Sequence, residues 1–364
     1  MTRILTLPLF LVLCSTASAS EFTIEPFAGP LEHPWSMVFL PDGRALVTER
    51  PGRLRIIDVD GRLLDDPVEG TPAVYAASQG GLMGLMLHPE YASNGWIYLT
   101  LAHGTSSANA TRLVRGRLSS GRWIDQEVLF TARPFKDTPV HYGGRMAFLP
   151  DGTLLISTGD GFDYREHAQR LDSHLGKVLR LNEDGSVPED NPFVRQEGAL
   201  PEIFSYGHRN PQGLVVEPDS GRVWLHEHGP RGGDELNLLE PGGNYGWPIT
   251  TRGVDYSGAR VTPYESRPGM INPLIDWTPS IAPAGMSRYA GTLFHGWHGD
   301  LLVASLVEKT IRRIRLDGER VVSDTPLGLG IERRLRDVRV GPDGALYLLV
   351  DEKSGDVIRV TPSL

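Results

Sequence analysis

The 364-residue chain contains a single cysteine, Cys14. It lies in the first nineteen residues, which read as a removable leader, so the mature chain is left without a thiol. That excludes disulfides, cysteine nucleophiles and thiolate-bound metals. Beyond the leader no run approaches the eighteen or so apolar residues that a membrane helix needs, and no transmembrane segment is expected. Positive charge is also in deficit, with 36 Lys and Arg against 45 Asp and Glu for a net charge of -9. An acidic surface argues against nucleic acid as a partner. Long stretches of helical periodicity are few.

Residues 1–19 carry one charge, Arg3, then the apolar core LTLPLFLVL, and end on Ala17-Ser18-Ala19, the plan of a secretory signal peptide cut after about Ala19. Leu13 precedes Cys14 where a lipidated cysteine would have a small residue, so the leader reads as cleaved. Loss of Arg3 takes the net charge from -9 to -10. The mature protein, residues 20–364, is expected to be secreted, or periplasmic in a Gram-negative source.

What the chain has in quantity is turn residues, Gly 42 and Pro 28, and one recurring phrase. An apolar pair, Pro-Asp-Gly or a relative, and an alternating apolar strand appear as VFLPDGRALVTER (38–50), AFLPDGTLLISTGDG (147–161), VVEPDSGRVWLHEHG (215–229) and VRVGPDGALYLLVDE (338–352). Looser copies are LMLHPEYASNGWIYLTLAH (85–103) and LFHGWHGDLLVASL (293–306). Pro presets φ and Gly supplies positive φ, so each phrase predicts a hairpin. Six units over the mature chain give about 57 residues each, enough for a four-stranded blade and long loops. The fold expected is all-β, a single six-bladed β-propeller; a β-sandwich with coincidental turns is the competing architecture. In most phrases the second strand ends in polar residues: TER (48–50), AHG (102–104), TGDG (158–161), HEHGP (226–230) and VDE (350–352). Strands that point the same way around an axis would gather these ends on one face, the candidate site.

Four clusters carry chemistry. His141, in HYGGRM, becomes a useful general base if a carboxylate orients it, and Asp160 ends the adjoining strand; the plain alternative is a loop histidine satisfied by water. Arg209 and Asn210, within GHRNPQG (207–213), pair a charged fork with a neutral amide, suited to negative charge developing on a carbonyl oxygen. A loop arginine paired to a carboxylate would explain Arg209 but not His208, Asn210 or Gln212. HEHGPRGGDELNLLEPGGNYGWP (226–248) is rich enough in Gly and Pro to turn main-chain carbonyls toward a hard cation. Arg333, Arg334 and Arg336 precede the last phrase; on a strand, positions 334 and 336 share a face and could clamp a polyanion, against the ordinary reading of a solvated charge run.

Together these motifs resemble the soluble quinoprotein sugar dehydrogenases that use pyrroloquinoline quinone (PQQ), including the aldose sugar dehydrogenases and their glucose/sorbosone dehydrogenase relatives. The resemblance runs in order through QGGLMGLMLHPEY (79–91), HYGGRMAFLPDG (141–152), LGKVLRLNEDGSVPEDNPF (175–193), GHRNPQG, EHGPRGGDELN with GGNYGWP (227–248), PSIAP (279–283) and RLRDV (334–338). It implies a six-bladed propeller that oxidises aldoses at C1 to the lactone, passing electrons to an external acceptor, a quinone or cytochrome. His141 would take the proton of the C1 hydroxyl beside Asp160. Arg209 and Asn210 would hold the quinone oxygen that becomes anionic. Gln79, Ser280, Arg334 and Arg336 would contact PQQ, Gly229 and Pro230 would offer carbonyls to Ca²⁺, and Asp255 would belong to a structural Ca²⁺ region.

The chain departs from the family pattern at three places. His228 stands where a glutamine precedes Gly-Pro, Val307 stands where a lysine contacts PQQ, with Lys309 two residues on, and Arg165 aligns loosely with a sugar-contacting glutamine. Two other functions remain open on the same scaffold: a Ca²⁺-dependent lactonase or hydrolase with Glu49, Asp160, Glu227 and Asp351 around a metal, and a non-catalytic carbohydrate or protein binder.

Overall fold

The computed structural model describes residues 21–363; the leader expected at 1–19 lies outside them. Six antiparallel sheets follow one another along the chain. Their innermost strands are Pro34–Phe39, Leu82–Leu87, Met146–Phe148, Pro211–Val216, Pro283–Arg288 and Leu335–Val340. Each innermost strand touches the next, and the last touches the first. The sheets therefore close into a ring, a six-bladed β-propeller. Five blades have four strands; the first has three, with a single bridge from Ile57 to Leu63 in the fourth position.

The repeated phrases fall where the inner strand of a blade passes into the second. In the three strict Pro-Asp-Gly copies the glycine takes a left-handed conformation, φ 88°, 83° and 79° at Gly43, Gly152 and Gly344. Its N–H donates three residues back, to Leu40, Leu149 and Gly341. A side chain there would strain the turn. The two looser copies have longer connections: Tyr91–Asn94 forms a short helix in one, and residues 289–300 separate the strands in the other.

The second strands differ from the alternating, one-sided pattern read from the sequence. Ala45–Glu49, Leu154–Thr158, Val223–Glu227, Leu301–Ser305 and Leu346–Val350 are buried at every position. The cause is the stacking of blades, which covers both faces of each sheet. Leu46, Leu54, Leu85 and Leu99 pack between the first and second blades, and Trp224, Leu236, Met286 and Val303 between the fourth and fifth. Each such side chain contributes about 1.5–3 kcal/mol.

Ring closure comes from the chain's beginning. Phe22–Leu31 pairs antiparallel with Gly355–Pro362, Ile24 opposite Val360, and supplies the outermost strand of the last blade. The polar ends of the second strands then sit around one mouth of the ring. There Arg50, Asn210, His228 and Asp351, from three blades, line one cavity of about 300 Å³.

Candidate active site

His141 is buried, and its Nδ1 lies 2.7 Å from Asp160 Oδ1. Asp160 is fully buried and engaged on both oxygens: Oδ1 also accepts the Phe162 N–H at 2.8 Å, and Oδ2 accepts the Trp247 indole N–H at 2.7 Å. With both Asp160 oxygens accepting, the Nδ1–H tautomer is the one that fits, which leaves Nε2 as a lone-pair acceptor. Burial pushes the His141 pKa below its ordinary value; Asp160 works against that shift, and Arg209 and Lys136 reinforce it. The ring is therefore neutral at pH 7, as a base must be. Gly159 is required here: a Cβ on it would come within 2.3 Å of the His141 carbonyl oxygen. Gln79 fixes the same turn, its Oε1 accepting the His141 N–H at 2.9 Å.

In GHRNPQG the four polar side chains divide into two pairs. His208 is a structural pin: fully buried, it meets Glu227 Oε1 at 2.8 Å and Ser205 Oγ at 2.9 Å, and stacks on Tyr245. Gln212 lines the central cavity, and its Nε2 donates to the Gly143 carbonyl at 3.2 Å. Asn210 faces the central cavity, and Arg209 faces a neighbouring cleft lined by Phe162, Trp247 and Tyr256. Asn210 Oδ1 accepts the Gly143 N–H at 3.2 Å, and its side-chain NH₂, with no acceptor among the described residues, remains available at the cavity wall. The Arg209 guanidinium donates to the carbonyl oxygens of Gly229 and His228 and lies 5.3 Å from the Trp247 ring.

The far wall of the cavity carries Arg50, Arg334 and Arg336. Arg336 is buried and paired with Asp351; burial works against ionisation there, yet Arg336 holds the Asp351 carboxyl well below the usual carboxylate range. Among the described residues Arg334 makes one long bond, to the Leu306 carbonyl at 3.4 Å, and no ion pair. Arg50, which the sequence reading passed over although it ends the TER strand, has no carboxylate partner among the described residues. Three cations against one carboxylate leave an anion-binding excess inside an acidic protein. Arg333, the remaining arginine of that cluster, is turned away and paired with Glu352 and Asp356.

Gly229, Pro230 and Ser280 line an adjoining pocket of about 660 Å³, with Val307 at its edge. Asp234, another residue not singled out in the sequence, holds this wall together. Its Oδ1 accepts the Gly229 N–H at 2.9 Å, and its Oδ2 accepts the Ser280 hydroxyl at 2.6 Å and the Ala282 N–H at 2.9 Å. His228 lines both pockets; its Nε2 meets the Pro283 carbonyl at 2.6 Å. Burial pushes its pKa down to about 3, so it too is neutral. Asp255 is half-buried, its Oδ1 taken by the Ser257 N–H and hydroxyl, on a third cleft that also holds Arg165 and Pro230.

The carboxylate ring that a lactonase would need does not form. Glu49 is spent on Arg53, Arg55 and the Glu32 N–H, Asp160 on His141 and Trp247, Glu227 on His208 and the Arg209 N–H, and Asp351 on Arg336 and His33. Among the described residues no three acidic or histidine side chains gather as a metal site.

The family model for glucose/sorbosone dehydrogenases matches residues 31–359. The chain belongs to that family. It is thus a sugar dehydrogenase, an oxidoreductase. It is 39% identical over 352 residues to the aldose sugar dehydrogenase YliI of Escherichia coli, covering 95% of this chain and 94% of that one. A crystal structure of a glucose dehydrogenase superposes with TM-score 0.91 at 44% identity, over 94% of this chain and all of the other. The PQQ-bound aldose sugar dehydrogenase of Streptomyces coelicolor superposes with TM-score 0.76 at 27% identity, over 94% of this chain and 99% of its own. No helix among the described residues is long and apolar enough to cross a membrane.

Proposed function

We propose that this enzyme, after export, oxidises aldoses at C1 to the lactone with PQQ and Ca²⁺, passing electrons to an external acceptor. The observation that carries the reading is a neutral, carboxylate-oriented histidine held in the turn whose Tyr142 and Gly143, with Gln79, line one wall of the cavity, while Arg50 and Arg334 face that cavity without counter-ions. PQQ is a tricarboxylate, and the excess of Arg50, Arg334 and Arg336 suits such an anion. When bound, PQQ supplies a two-electron acceptor for the hydride that leaves C1.

The chain's own residues do the rest. His141 Nε2 takes the C1 hydroxyl proton, and Asp160 steadies the imidazolium that results through Nδ1–H. Trp247 and the Phe162 N–H keep Asp160 a fixed acceptor, so no reorganisation accompanies the transfer. The Arg209 guanidinium and the Asn210 NH₂ are donors for an oxygen that gains negative charge, in a site shielded from water where such donors count most. Gln79 and Ser280 would border the cofactor. The main-chain carbonyls of Gly229 and Pro230 are the right chemistry for Ca²⁺; Gly229 O already accepts from Arg209, so a cation there requires that guanidinium to shift. Asp255 is assigned to a separate, structural Ca²⁺.

The test is spectroscopic. Purified apo-protein is titrated with PQQ and Ca²⁺ while its absorption is followed, and aldoses are then added. Saturable binding followed by bleaching of the oxidised cofactor with sugar is expected. A wild-type protein that binds no PQQ would refute the assignment.

A further inference from the structure

The third cleft, about 310 Å³, is walled by Phe162, Tyr256 and Trp247, with Asp163, Arg165 and Asp255 on its rim. Two of these aromatics are unusually placed. Phe162 is 41% and Tyr256 59% exposed, and neither joins any of the hydrophobic clusters between blades. They stack on each other with centroids 6.2 Å apart and planes at 25°, forming one continuous apolar wall. Phe162 also has φ 69°, left-handed backbone that a bulky residue rarely adopts. That conformation is held by the bond from its N–H to Asp160 Oδ1, the oxygen that orients His141, and its ring meets the His141 ring edge-on at 5.3 Å. Packing does not account for a strained, exposed phenylalanine; a ligand surface does.

We propose that Phe162 and Tyr256 are the specificity platform of this enzyme: the aldopyranose lies with a C–H face on these two rings, its C1 end toward His141 and its outer hydroxyls toward Arg165, Asp163 and Asp255. The proposal rests on the dehydrogenase reading and adds to it the class of sugar selected. A flat apolar wall recognises the ring form and is indifferent to the configuration of single hydroxyls. Aldopyranoses of several configurations are accepted with similar KM, and open-chain polyols are excluded. Both rings act in binding, so both should appear in KM, and Tyr256, which touches neither His141 nor Asp160 in the contacts above, should leave kcat largely alone.

The experiment uses protein reconstituted with PQQ and Ca²⁺, D-glucose as substrate and a dye acceptor. Tyr256→Ala should raise KM about tenfold, the cost of losing part of an aromatic contact, with kcat within about threefold; Phe162→Ala should raise KM by a similar factor, and is read by KM alone because Phe162 also braces Asp160 and His141. Phe162→Tyr should retain the wild-type KM. Unchanged KM, or a loss confined to kcat, overturns the platform. So does a parallel loss of PQQ affinity in the titration described above, since the rings would then serve the cofactor. A second readout separates this proposal from the dehydrogenase reading: saturation-transfer NMR of glucose with wild type and both variants, without PQQ. Transfer to the sugar C–H protons that both alanine variants abolish upholds the platform even if no aldose is oxidised. Equal transfer in all three proteins, or none in wild type together with an unchanged KM, sinks it.

Discussion

The two walls of the central cavity are built on opposite electrostatic principles. On the His141 side the groups that orient the base are paired before any ligand arrives. Asp160 has three donors, Gln79 and Asn210 brace the adjoining turns, and His208 is locked between Ser205 and Glu227. On the arginine side charge is left over: Arg336 is matched by Asp351, while Arg50 and Arg334 face the cavity without a carboxylate. A wall that must move a proton has to be rigid and correctly protonated in advance. A wall that must hold an anion can leave its charges for the anion to neutralise. The first wall should therefore fail in turnover when mutated, and the second in affinity.

The largest effect is expected at the base. His141→Ala should lower turnover about 10² to 10⁴-fold, the usual worth of a general base, with PQQ binding intact; near-normal turnover at saturating cofactor would remove His141 from the mechanism. The pH profile sharpens this. Burial places the His141 pKa below its ordinary value against the pull of Asp160. Activity should thus be lost only as the pH falls through a point below about 6.5, where the ring becomes protonated. Asp160→Asn removes the influence that raises the pKa, so the acid limb should move to still lower pH while kcat on the plateau falls. A limb that moves upward would contradict the pairing.

Next in size are the unpaired cations. Arg334→Ala and Arg50→Ala should each weaken PQQ binding about tenfold to a hundredfold, the range for a hydrogen bond to a charged group, and turnover should recover once PQQ is raised to saturation. A fall in kcat that saturation does not repair would place these arginines in the chemistry and erase the distinction between the walls. Glu49→Gln serves as the control: its carboxylate faces Arg53 and Arg55, away from the cavity, and neither metal dependence nor PQQ affinity should change.

How much of this could be read in the sequence follows the range of each interaction. Pro-Asp-Gly is a local signal, set by φ preferences within four residues, and it marked the blade hairpins. The pairing of His141 with Asp160 spans nineteen residues but one hairpin, and was legible for the same reason. Closure of the ring by Phe22–Leu31 was not, because its partner strand lies at the other end of the chain and nothing in either segment names the other. Burial of the second strands on both faces depends on neighbouring blades, which no single phrase contains. Arg50 and Asp234 were quoted within motifs yet carried no local mark: Arg50 matters because the ring brings it beside Arg334, and Asp234 because Ser280 returns to it. Positions 334 and 336 share a face of a strand in the sequence pattern, but their inequality is tertiary, since Asp351 reaches Arg336 alone.

The smallest effect tests the comparison most finely. Val307 replaces the lysine that the family resemblance places against PQQ, and it lies 57% exposed on the pocket shared by Gly229, Pro230 and Ser280. A buried lysine meeting a carboxylate would contribute a charge-assisted bond of about 1.5–3 kcal/mol. At so exposed a position water screens the pair, and the gain falls toward the 0–1 kcal/mol of a surface ion pair. Val307→Lys should therefore tighten PQQ binding by only about twofold to fivefold, with kcat unchanged, and the gain should shrink as ionic strength rises. Titration of apo-protein with PQQ at fixed Ca²⁺, at two salt concentrations, measures both. A gain of a hundredfold would mean that the outer pocket is dry when occupied and that the missing lysine was a principal anchor. No gain at all, with Arg334→Ala still strongly impaired, would show that the cavity's own arginines already hold the anion and that Val307 marks a contact this wall does without.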